Sequence, residues 1–175
     1  QPVLMLQSQA ARIGLTFPIL VKLIILFQLV LGVYGVFKLL AYFSTQNWVM
    51  FIGSLFYLLN LSTIQSYFTP FEVFTAHFAS LPWLILTGIN YFKNPNRKNL
   101  LIAGAVSFIS APASYVPTLF LVYLMAVSIS TLFYFKKTKQ YFLTFIKFLI
   151  TIFFVNSFWI LPFAFFTLTS SGINV

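Results

Sequence analysis

Glu72 is the only acid of this 175-residue chain and His77 its only histidine. An ionisable group at membrane depth must have its desolvation compensated, so both are candidates for contact with a substrate. They stand five positions apart, roughly 500° round a helix, and do not share a face cleanly. Glu72 also has a structural explanation. Thr69-Pro70-Phe71-Glu72 reads as a helix start, with Thr69 as cap, Pro70 at the first position and an acid where the helix dipole favours one. Metal sites take about three or four ligands, which one Glu and one His cannot supply. No metal site and no cofactor is visible.

Asn156, followed by Trp159 and Pro162, is a second constellation. An amide within an apolar helix ordinarily bonds to a neighbouring helix, and a Trp near a membrane surface ordinarily anchors the interface. Asn60 and Gln65 invite the same structural reading. Asn60-Leu61-Ser62 matches a glycosylation sequon but falls inside an apolar run. The chain has no Gly-rich phosphate loop, no Ser-His-Asp set, no HExxH and no pair of carboxylates, so general acid-base catalysis is hard to build from these residues alone. Cysteine is absent, which removes disulfides and thiolate metal ligands.

The elements that position these residues are set by composition. Hydrophobic residues make up 61% of the chain, aromatic residues 21% and charged residues 6%, with a mean hydropathy of +0.98. A soluble domain carries roughly 25% charged residues, so water is not the main solvent here. The fold class expected is all-α, a polytopic helical membrane protein whose first partner is the lipid bilayer. Ten Lys and Arg against one acid give a net charge of +9. The basic residues fall in short clusters between apolar runs, as cytoplasmic loops do, and do not mark a nucleic-acid surface.

Lys93, Arg97 and Lys98 precede the uncharged run 99–135, and Lys136, Lys137 and Lys139 follow it. That run is too long for one crossing of a hydrocarbon core about 30 Å thick. Ala111-Pro112-Ala113-Ser114-Tyr115-Val116-Pro117 folds it back, giving a proline-broken hairpin of 99–111 and 117–135 with both basic clusters on the cytoplasmic side. The first member is short, so a re-entrant hairpin is the alternative geometry. Ala103, Ser107 and Ala111, and likewise Ala126 and Ser130, put small side chains on one face of each member and permit close approach.

Counting outward from the clusters places further spans at 17–37, 48–68, 73–92 and 142–166, for about six crossings with both ends outside. Arg12 then violates the charge rule, Lys22 snorkels to the outer interface, and Lys147 sits inside the cytoplasmic leaflet. Pro82 predicts a kink in the third span, and residues 1–13 are candidates for an extramembrane or interfacial helix. No internal repeat, linker or signal peptide is visible, and 1–175 is treated as one transmembrane domain. The start at Gln1-Pro2 suggests a piece of a longer membrane protein.

Several stretches carry a family likeness. Phe17-Pro18 opens a helix ending Gly32-Val33-Tyr34-Gly35-Val36-Phe37-Lys38, and Phe56-Tyr57-Leu58-Leu59-Asn60 closes the next. Ser80-Leu81-Pro82 leads a helix to a basic loop, and a hairpin broken by Ala-Pro-Ala-Ser precedes Asn156-Ser157-Phe158-Trp159-Ile160-Leu161-Pro162. In these features the chain resembles the C-terminal transmembrane part of GT-C-type integral membrane glycosyltransferases, particularly arabinofuranosyltransferase-like members. The resemblance implies a plasma-membrane, cell-envelope enzyme that moves a sugar from a polyprenyl-phosphate-linked donor at the outer face. It also implies that the stretch from Tyr67 to Pro82 lines a donor or acceptor cleft, with Tyr67, Glu72, His77, Asn156 and Trp159 as substrate-binding candidates. In that family the catalytic acid lies on the first outer loop. No Asp exists here, so the catalytic residues would lie before Gln1. Divalent metal assists some relatives and would belong to the full-length protein.

Two other classes compete. A transporter or lipid flippase needs polar groups near mid-membrane, for which Asn60, Asn156 and the broken hairpin are the available material. A non-catalytic scaffold subunit needs only packing faces. Donor sugar, acceptor and oligomeric state are not encoded in any visible motif.

Overall fold

The computed structural model describes residues 17–68, 72–132 and 139–170, and their regular structure is entirely helical. The helices are α1 (Phe17–Phe43), α2 (Asn47–Leu59), α3 (Leu61–Phe68), α4 (Glu72–Lys93), α5 (Arg97–Ile109), α6 (Pro117–Leu132), α7 (Lys139–Val155) and α8 (Ser157–Ser170). A 3-10 turn, Ala111–Tyr115, lies between α5 and α6, where the two prolines predict the hairpin break. In lipid a helix satisfies its own backbone groups, and apolar runs of this length leave no other stable choice. Thr69, Pro70, Arg12, Lys136, Lys137 and the segment 1–13, all used in the sequence argument, lie outside the described residues.

Two described helices are long and apolar enough to cross a membrane, Ile19–Phe43 and Glu72–Lys93. The number rises to four if α2 with α3, and α7 with α8, each count as one bent span. Helices of this length and composition mark a membrane protein, and the described residues offer two to four candidate spans where six are expected. The shortfall has two physical sources. The hairpin members are short: α5 has 13 residues, or about 20 Å against a hydrocarbon core of about 30 Å. The runs 48–68 and 142–166, each expected as one span, are broken instead. The first bends by 49° and the second by 79°.

The chain divides into two compact units, Gln1–Pro82 and Trp83–Val175, and the boundary falls inside α4 just after its proline. In the first unit α1 and α2 form an antiparallel pair whose turn is held by the Gln46 N–H donating to Ser44 Oγ at 3.2 Å. Two glycines set the approach of the helices. At Gly53 the Leu40 side chain occupies the space a Cβ would need. At Gly32 an added Cβ would lie 2.5 Å from Phe78 Cε1 and 2.9 Å from the Phe78 carbonyl oxygen. Larger residues at either place would force the helices apart.

In the second unit the core is Ile89, Val127 and Phe148, each 1% exposed, with Ile152 at 0%. Asn96 starts α5 as its cap, its side chain accepting from the Asn99 N–H at 2.8 Å. The small-residue face of α5 is buried at Ala103, Gly104 and Ser107. That face meets α7: a Cβ on Gly104 would lie 3.4 Å from Thr151 Cγ2 and 3.5 Å from Val155 Cγ2. The ring of Tyr91 stacks on Phe148 at 5.9 Å, fixing the second half of α4 to α7.

Candidate functional site

In the first unit Tyr67 and His77 lie at Phe78, and Glu72 lies farther along the same helix. Pro82 has no N–H, so the carbonyl four residues back, on Phe78, loses its helical partner. The Tyr57 hydroxyl on α2 takes that place, donating to the Phe78 oxygen at 2.9 Å. Its ring also stacks on the Phe78 ring at 4.3 Å. Tyr67 of α3 meets the same ring edge-on at 5.4 Å, and its hydroxyl is buried with no hydrogen-bond partner among the described residues. His77, next to Phe78, is half-buried, whereas Glu72 is exposed in the first described turn of α4. Glu72 and His77 therefore differ in environment. What the cluster does is restore a carbonyl freed by proline.

Asn60 breaks the α2–α3 run and serves both helix ends. Its backbone is extended, with φ −69° and ψ 153°, which stops α2 and suits the residue before a new helix. The side-chain amide donates to the Tyr57 carbonyl at 2.7 Å and to Thr63 Oγ1 at 2.9 Å, while Oδ1 accepts from the Thr63 N–H at 3.0 Å. Thr63 Oγ1 donates to the Tyr57 carbonyl as well, at 2.8 Å. Every one of these bonds is local.

Asn156 breaks the α7–α8 run differently. It is 0% exposed. Its Nδ2 donates to Ser107 Oγ on α5 at 2.9 Å and to the Ile152 carbonyl at 2.8 Å. Its Oδ1 accepts from Trp159 Nε1 at 3.0 Å, and the Trp159 ring packs edge-on against Phe120 of α6 at 5.1 Å. Asn156 and Trp159, predicted as a constellation, are thus joined directly. The amide is fully engaged within the protein, which makes it a fastener between α5, α7 and α8.

The candidates divide between the units, with Tyr67, Glu72 and His77 in the first and Asn156 and Trp159 in the second. Among the described residues no group of three or more His, Cys, Asp or Glu could hold a metal ion. A feature absent from the sequence reading is an apolar groove of about 380 Å³ between α1 and α2. Nothing in the sequence marks it, because α1 is apolar all round and no polar face distinguishes the groove side from the lipid side. Compared with protein families, with curated proteins and with solved structures, the chain matches none.

Proposed function

We propose that the chain is the multi-pass membrane part of a GT-C-type glycosyltransferase of the plasma membrane, acting at the outer face on a polyprenyl-phosphate-linked sugar. Its path is the six-crossing one, with the α5–α6 hairpin returning the two lysine-rich connections to the cytoplasm. The observation that carries the reading is the arrangement at the α3–α4 end, where Tyr67 and half-buried His77 flank Phe78 and Glu72 is left exposed. On this path that end faces outside, where a sugar or phosphate would be met. The catalytic acid, and any divalent metal, would come from residues outside this sequence, and Glu72 would contact substrate.

The test is sugar transfer from a polyprenyl-phosphate-linked donor in membranes that contain the parent protein. Glu72→Gln should lower transfer by roughly 10-fold or more, the scale of a lost charge-assisted hydrogen bond, with expression unchanged. Full activity in that variant, or no transfer by the wild-type protein, removes the reading.

A second reading, a transporter or flippase for a lipid-linked sugar, is favoured by the two asparagine-centred breaks, since broken helices mark binding sites in many transporters. Movement of a labelled lipid-linked sugar across vesicles by the parent protein, without transfer, would promote it.

A further inference from the structure

We propose that the groove between α1 and α2 seats one acyl chain of an anionic glycerophospholipid, with the lipid phosphate held by Lys38. This stands apart from the transferase reading, since it uses neither Glu72 nor any outer-face residue. The groove is lined by one face of each helix: Leu29, Val33 and Phe37 on α1, and Phe51, Leu55 and Leu58 on α2. These positions recur every three or four residues, so they form two continuous facing stripes. Of the two lining residues that carry a hydroxyl, Tyr34 and Ser54, the deeper one, Ser54, is already committed, donating to the Met50 carbonyl at 2.8 Å. Apart from the half-exposed Tyr34, the walls are apolar.

Three observations identify that occupant. Only 17% of the residues in the most apolar stretch of α1 are buried in the protein, so the groove belongs to a helix whose surroundings are hydrocarbon. From Leu29 to Phe37 the groove runs about 12 Å along α1, close to the roughly 15 Å depth of one leaflet. Lys38 then follows Phe37 directly. It is exposed, and its ammonium nitrogen lies 5.3 Å from the ring centroid of Tyr34, itself a lining residue. An apolar slot one leaflet deep with a cation at one end has the dimensions and polarity of a single anionic lipid chain. With one acid in the whole sequence, a carboxylate of this chain is a scarce counter-ion for that cation, whereas a lipid phosphate is abundant at the membrane surface. On the six-crossing path Lys38 lies in the cytoplasmic leaflet, where anionic lipids concentrate.

The experiment uses the purified chain in phosphatidylcholine vesicles containing a minor fraction of phosphatidylglycerol with a photoactivatable acyl chain, the adducts being mapped by peptide mass spectrometry. Adducts should concentrate on residues 29–37 and 51–58. Lys38→Gln, an exposed change that leaves the packing intact, should reduce them about fivefold, the scale of one surface lysine at an anionic membrane. A phosphatidylcholine probe should label the groove weakly and equally in both proteins. Labelling spread evenly over the lipid-facing helices, groove labelling unchanged by Lys38→Gln, or equal labelling by the two headgroups would each overturn the proposal. An absence of groove adducts would also overturn it, since the slot would then be filled by something other than lipid.

Discussion

Asn60 and Asn156 interrupt apolar helices with the same side chain, yet they fasten different things. Asn60 keeps all its bonds within three or four residues of itself, ending α2 and beginning α3 across a 49° bend. Asn156 reaches 49 residues along the chain to Ser107 and bonds forward to Trp159, at a bend of 79°. The contrast teaches that an amide in an apolar helix acts according to what lies opposite it. With only the turns just before and after it in reach it becomes a cap, and with a small hydroxyl residue of a distant helix opposite it becomes a tie between helices.

Replacing each partner in turn would break or sharpen this contrast. Asn156→Leu should have the largest effect, about 3 kcal/mol of unfolding free energy in a denaturant titration in micelles, because it strands the Trp159 N–H and takes from the buried Ser107 hydroxyl one of its partners, leaving it Tyr123 alone. It should also change Trp fluorescence, and a native spectrum with native stability would show that the tie is idle. Asn60→Leu should cost less, about 1 kcal/mol, since Thr63 Oγ1 continues to serve the Tyr57 carbonyl. A cost equal to that of Asn156→Leu would erase the distinction between cap and tie. Ser107→Ala should be smallest, about 0.6 kcal/mol in the same titration, the usual scale of a single interhelical hydrogen bond in a membrane. If Ser107→Ala in the Asn156→Leu background cost as much as it does alone, the bond between them would contribute nothing measurable.

Part of this was legible from residues alone. The all-helical membrane class follows from 61% hydrophobic and 6% charged residues, and Pro112 with Pro117 announces the break that becomes the 3-10 turn. The bends at Asn60 and Asn156 were not legible. Asn inside an apolar run has the same composition whether the helix continues or stops, and the choice depends on partners such as Ser107 that are distant in sequence. For the same reason Pro82 predicts an irregularity in α4 but not that Tyr57, 21 residues earlier, would supply the missing donor. Of the candidate site, the neighbourhood of Asn156 and Trp159 was indicated by spacing, whereas the aromatic cluster at Phe78 was not. In a chain with 24 Phe, one more ring carries no signal. The α1–α2 groove was invisible because its lining and its lipid-facing side are made of the same residue types.

The mending of the Phe78 carbonyl by Tyr57 also bears on the order in which the protein is made. When the ribosome delivers Pro82, the hydroxyl that will serve the orphaned oxygen is already synthesised, and the same is true of Ser107 when Asn156 emerges. Both long ties point back toward the N-terminus. At these two interruptions the nascent chain need not wait in the bilayer for a partner still to be translated.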